Sequence, residues 1–209
     1  MRGFAERHGD AVAVLDDEER TVVARIVADV GLLLGGETFG LEQTLDVPED
    51  LEDPFLYLRG LEESIREPSD PAILRLLPNA APTDREVSDE FRRLTEGELR
   101  AGKVRRLRRV WEQLSAEGDE WVVPADEAMD AAAALTDVRL VLASRLGLLT
   151  DEDAERLHQE IELANDALED EDPLPVDHER VWLGMLYQAL SWLQETLVTF
   201  VVDREERDD

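Results

Sequence analysis

Three histidines, His8, His158 and His178, are the chain's whole supply of imidazole for acid–base work or metal ligation. Sequence context puts them in a turn, on an acidic helix and near a helix start, and none has a second histidine at ligand spacing. His158 and Glu162 share a helical face, as many solvated pairs do, so no metal site is expected there. With no cysteine, structural disulfides, thiolate ligands and thiol redox switching are excluded for this chain. Gly35 and Gly36 follow a helix instead of opening one, so no phosphate-cradling loop is present, and no nucleophile elbow appears. The carboxylates are many, but they become catalytic only where a pocket raises a pKa, and a solvated charged face is their default. No catalytic residue and no cofactor is expected, and the chain reads as non-enzymatic.

The densest charge feature is basic. Between Leu99 and Trp111 stand Arg100, Lys103, Arg105, Arg106, Arg108 and Arg109 with no acid among them. Such a run can grip nucleic-acid phosphates, or it can neutralise an acidic partner, including the chain's own segment 151–172, which holds eleven acids and one arginine. The internal pairing is favoured, because those carboxylates are always at high effective concentration. As a partner-binding face the six residues would suit a protein better than free DNA. The whole chain carries 51 acidic against 22 basic residues, a formal charge of -29, and so repels phosphate backbones and anionic lipid heads. Salt adaptation or high solubility also explains that acidity.

Leu142–Leu157, LASRLGLLTDEDAERL, has the Ala, Gly and Leu placement of a helix-turn-helix. Its would-be recognition helix opens with Asp151, Glu152, Asp153 and Glu155, which oppose docking in a major groove, so direct DNA readout is not expected.

The elements that would position these residues are mostly helical. His8, Gly9 and Asp10 form a turn between strand-like stretches, predicting a hairpin over residues 4–15 with positive φ at Gly9. Asp16 stands as an N-cap with Glu19 as capping-box partner, ahead of a helix with Val23, Val27 and Val30 at core spacing that stops at Gly35 and Gly36. Glu37–Asp53 has seven acids and no base and reads as an exposed connection, and Pro54–Glu67 as a helix. Pro71 after Asp70 begins a short helix through Leu77. Thr83–Ser115 predicts a long helix with Gly97 and Gly102 as weak points.

Glu120–Val123, ending at Pro124, reads as a third antiparallel strand able to join the hairpin. Ala125–Leu146 is a broadly apolar helix ended by Gly147, whose Asp137, Arg139 and Arg145 must pair if buried. Thr150 caps a helix over Asp151–Leu168. Val176 to about Val202 carries Leu183, Leu186, Leu190, Leu193, Leu197 and Phe200 in steps of three and four, with Trp182, Met185, Ala189 and Trp192 as a second stripe. So wide an apolar face implies burial against several helices or a homodimer seam. The four tryptophans read as core and boundary packing. The charged residues 203–209 are expected to fray. The fold expected is mainly α, one domain over 1–209: a helical bundle with a small N-terminal β-hairpin. No signal-length or membrane-length apolar run is seen, so a cytoplasmic location is expected.

DPAILRLLPNA (Asp70 to Ala80), EFRRLTEGELRAGK (Glu90 to Lys103), LTDVRLVLASRLG (Leu135 to Gly147) and WLQETLV (Trp192 to Val198) resemble the hallmarks of an actinobacterial domain of unknown function, family twenty-seventeen, in order over nearly the whole chain. The resemblance implies a small helical protein, often encoded beside the Clp protease adaptor ClpS, with some members described as transcriptional regulators of the oxidative-stress response. It brings no catalytic residues, and without cysteine its thiol-based form cannot be carried over. A regulatory protein acting through protein partners is the expectation, with an accessory role in Clp-dependent proteolysis and an enzyme with an unrecognised carboxylate site as alternatives.

Overall fold

The computed structural model describes residues 1–36, 39, 70–81, 83–169 and 177–208. The connection expected over Glu37–Asp53, apart from Phe39, and the helix expected over Pro54–Glu67 lie outside those residues. Within them the chain is a helical bundle with one small antiparallel sheet.

Strands β1 (Arg2–Arg7) and β2 (Asp10–Val14) meet at a two-residue turn, His8 and Gly9, with φ of 54° and 93°. Positive φ at both central residues matches the right-handed twist of a hairpin, and Gly9 adopts it without a Cβ clash. β3 (Glu120–Val123) pairs antiparallel on the far side of β2, Ala13 opposite Trp121, so the sheet order is β1-β2-β3. A register shift between Arg2 and Ala5 accompanies a bond from the Phe4 N–H to Thr196 Oγ1 at 2.9 Å. The final helix thereby covers part of an edge that would otherwise expose unpaired backbone groups.

Helix α1 (Asp17–Leu33) starts where its capping box places it: the Glu19 N–H donates to Asp16 at 2.8 Å and the Asp16 N–H to Glu19 at 3.0 Å. α2 (Pro71–Leu76) is capped by Asp70. α3 (Arg85–Leu114) runs through Gly97 and Gly102 without a break. A 3-10 turn over Ala125–Glu127 takes up the residues expected as the first turn of α4 (Ala128–Leu146), which ends at Gly147 in the left-handed region, φ 71°. α5 (Asp151–Glu169) and α6 (His178–Asp208) complete the order.

α6 extends beyond the expected end. Residues 203–208, expected to fray, continue the helix, and Arg204 donates to the Gly9 carbonyl at 2.9 Å while Arg207 pairs with Glu6 at 2.6 Å. Each arginine gives the terminal turns a fixed partner on the hairpin.

α4 lies in the middle, packed by α1, α2, α3 and α6. One core joins Phe4, Leu15, Val27, Leu107, Trp121, Leu135 and Leu142 to Leu190, Leu193 and Leu197 of α6. Each leucine sealed there contributes roughly 1.5–3 kcal/mol. A smaller cluster, Ala143, Leu146, Leu148, Leu157 and Ile161, seats α5 beside the end of α4 and against α6. A Cβ on Gly184 would lie 2.7 Å from Leu157, so the absence of one lets α5 approach α6 closely.

Candidate partner-binding surfaces

The basic run lies along α3, and the structure turns most of it inward. Lys103 is nearly buried and its Nζ meets Asp137 Oδ1 of α4 at 2.5 Å; Asp137 is 2% exposed, and its Oδ2 is buried with no hydrogen-bond partner among the described residues. A buried ammonium and carboxylate must compensate each other, because either alone leaves an unsolvated charge. Arg100 bonds the Leu34 carbonyl at the end of α1 at 3.1 Å and Glu96 at 2.7 Å, and Glu96 also pairs with the buried Arg92 at 3.1 Å. These residues brace α3 against α1 and α4.

Arg109 makes a two-pronged bond to Glu127, at 2.8 and 2.7 Å. That guanidinium holds the Glu127 carboxyl below its ordinary range and is itself raised. Gln113 donates to the same carboxylate at 2.7 Å and accepts from the Trp121 indole at 3.1 Å, tying α3 to β3 and to the turn before α4. Arg108 lies over the Phe39 ring, 5.7 Å from its centre. Arg106 is half-buried with its Nε out of solvent. Arg105 is exposed and forms no ion pair among the described residues.

Two expectations change here. Among the described residues the partners of Arg100, Lys103 and Arg109 are Glu96, Asp137, Glu112 and Glu127, and none lies in the described part of the acidic segment, 151–169, because α5 packs on α6 while α3 packs on α1 and α4. And the six basic residues do not share one open face: the helix carries them around its circumference, Arg100 and Lys103 are held by partners inside the fold, and Arg109 is braced at the surface. α5 uses other cations, with Arg180 of α6 donating to Glu160 at 2.6 Å and to the Leu146 carbonyl at the end of α4 at 2.7 Å.

The polar residues of α4 pair as their apolar setting requires. Arg139 donates to Ser191 at 2.8 Å and to Gln194 at 2.5 Å and lies over Tyr187; Arg145 chelates Asp70, at 3.0 and 2.7 Å, holding that carboxyl below its ordinary range.

The α4–α5 connection has the outline of a helix-turn-helix, but its opening is anionic by construction. Asp153 accepts from the amides of Leu149 and Thr150 and from the Thr150 hydroxyl, all at 3.0 Å, which keeps its carboxyl below the ordinary range. Asp151, Glu152 and Glu155 face solvent around it. The histidines are dispersed: His8 in the hairpin turn, His178 at the start of α6, and His158 beside Glu162, at 3.4 Å, and Gln188, at 3.2 Å. Among the described residues no three His, Asp or Glu side chains are grouped to hold a metal ion.

The opposite surprise is on α6. Its leucine stripe is buried, but Trp182, Met185 and Trp192 of the second stripe are 52%, 46% and 42% exposed. Trp121 alone of the four tryptophans is fully in the core, and Trp111 is half-buried. Val181–Gln194 contains no charged residue at all. Exposed aromatic and thioether side chains on an uncharged helix face have the composition of an interface core. Sequence reasoning assigned the stripe to burial against several helices or to a homodimer seam; the signal against burial was that the leucine stripe alone suffices to seat α6, leaving the next row with nothing to cover.

A family model described as a domain of unknown function, DUF2017, matches residues 1–201. No curated protein and no solved structure matches the chain. Among the described residues no helix is long and apolar enough to cross a membrane.

Proposed function

The chain belongs to the DUF2017 family, and from that premise we propose that it is a non-enzymatic interaction protein that works by holding another protein on its α6 surface. The observation that carries this reading is the exposure of Trp182, Met185 and Trp192 in a fourteen-residue stretch without charge, on a chain of net charge -29. Large aromatic side chains left half in water cost solvation, and at interfaces they are the residues that supply most of the binding energy. The basic run serves chiefly as internal bracing, with Arg105 its one exposed cation that has no ion pair among the described residues. Among the described residues the carboxylates with a shifted pKa, Asp70, Glu90, Glu127 and Asp153, are lowered, as in ion pairs and caps.

Such a surface would serve either of the two contexts implied by the family resemblance, stress-response regulation and Clp-dependent proteolysis. Photo-crosslinking from position 185 in the native cell, with mass spectrometry of the adducts, tests the reading. A discrete set of adducts, lost in Trp182→Ser/Trp192→Ser and kept in Arg105→Glu, is the expected result. Adducts unchanged by the tryptophan substitutions would refute it. Association with ClpS, measured by mixing, separates the two contexts.

A further inference from the structure

The α6 surface has a chemical asymmetry that selects among occupants. Trp182, Met185, Ala189 and Trp192 are spaced three, four and three apart, the spacing of a coiled-coil seam, over about 15 Å of helix. Its neighbour on one side is β1: a Cβ on Gly3 would lie 3.1 Å from the Trp192 ring. On the other side is α5. Gln188, one turn from both Met185 and Trp192, touches His158 of α5, and Glu155 and Glu162 lie three before and four after that histidine on the same helical face. Glu162 is solvent-exposed, with His158 at 3.4 Å; Glu155 is exposed, with Gln159 at 3.4 Å. Glu195 adds an exposed carboxylate at the end of the seam. The surface is thus an apolar row bordered by anions on its α5 side and at its C-terminal end.

We propose that this row receives an amphipathic helix of a partner protein, with apolar residues on one face and Lys or Arg beside them; this rests on the interaction reading above. The apolar face of that helix covers Trp182, Met185 and Trp192, while its cations meet Glu155 and Glu162 and can lie on the indole rings. Charge complementarity decides against a second copy of this chain. A copy carries the same α5 carboxylates and the same -29 surplus, so pairing the two faces antiparallel sets anion on anion along the α5 flank.

The test uses the full chain and a synthetic eighteen-residue helical peptide of leucine and lysine, leucines on one face, with a scrambled peptide and a leucine–glutamate peptide as controls. Calorimetry and tryptophan fluorescence read binding, and sedimentation reads oligomeric state. The leucine–lysine peptide is expected to bind with a blue-shifted tryptophan signal. Binding should weaken at least about tenfold in Trp182→Ser/Trp192→Ser, and several-fold in Glu155→Gln/Glu162→Gln, with both variants keeping wild-type circular dichroism. Neither control should bind comparably. Equal binding of the scrambled peptide, or binding indifferent to the tryptophan substitutions, overturns the proposal, as does a concentration-dependent dimer that buries Trp182 and Trp192. If crosslinked partners at position 185 depend on the tryptophans while the leucine–lysine peptide fails to bind, the interaction reading stands and the basic-helix assignment falls.

Discussion

The two runs that stand out in the sequence, Leu99–Trp111 on α3 and Val181–Gln194 on α6, have exchanged the places their composition suggests. The cationic one supplies a buried ion pair, a helix-end bond and a bidentate brace. The uncharged one leaves two tryptophans and a methionine in solvent. Location is decided by what each helix packs against, not by its own polarity. α3 is pressed between α1 and α4, so its long basic side chains either find acceptors or stay out; α6 needs only its leucine stripe to close the core, and its next row is left over. Conspicuous charge is therefore a poor guide to an open face when acceptors lie within reach.

The sharpest way to break this comparison is to remove the cation from the buried pair. Lys103→Ala leaves Asp137 charged and uncompensated, and chemical denaturation should show a loss of about 3–5 kcal/mol. The paired change Lys103→Met/Asp137→Leu should recover most of it. A neutral Lys103→Ala would mean that α3 does not face inward there.

Next in size, Gly184→Val places atoms where Leu157 and Ile161 already lie and should cost about 1–3 kcal/mol, with hydrogen exchange accelerated first in α5. That variant also sharpens the contrast on the α6 side, since α5 carries the carboxylates beside the tryptophan row.

Acid titration probes the braces. Glu127 has its pKa lowered in the fold, so its contribution is fully present above the ordinary glutamate value of 4.5 and is lost as the pH falls through the lowered one. Arg109→Gln should therefore flatten the acid limb of the stability curve while leaving its shape above pH 6 unaltered. An unchanged acid limb would show that the brace is not formed in solution. The smallest effect is expected on the other face: Trp182→Ser/Trp192→Ser should move stability by about 1 kcal/mol or less, since half of each ring is already in water.

Much of the architecture is legible before folding because its signals are local. Asp16 with Glu19, Pro71 after Asp70, Gly147 after a long apolar run and Pro124 after Trp121-Val122-Val123 each mark an element end with chemistry confined to a few residues. The third strand joins the hairpin as its β-branched residues imply. The candidate site was harder to read, since it depends on which faces meet. The apolar run around Asp137 implies a partner for it, yet that the partner is Lys103, 34 positions away, follows from α3 lying against α4. The pairing expected with segment 151–172 is not made by its described part, 151–169, for the same reason: α5 is seated on α6 by Leu157, Ile161 and Gly184, while α3 lies on α1 and α4. Residues 203–208 looked like a loose tail because the partners of Arg204 and Arg207 are at the other end of the chain, on the hairpin.

The chain contains one lysine, Lys103, among twenty-one arginines, so an amine-reactive ester reports on the inward face without side-chain competition. Peptide mapping of the labelled protein, native against denatured, tests the central claim directly. With Nζ held on Asp137, Lys103 should react at least about tenfold more slowly in the native chain than in denaturant. Labelling at the denatured rate under native conditions would contradict the account, because it would place the basic run in open solvent.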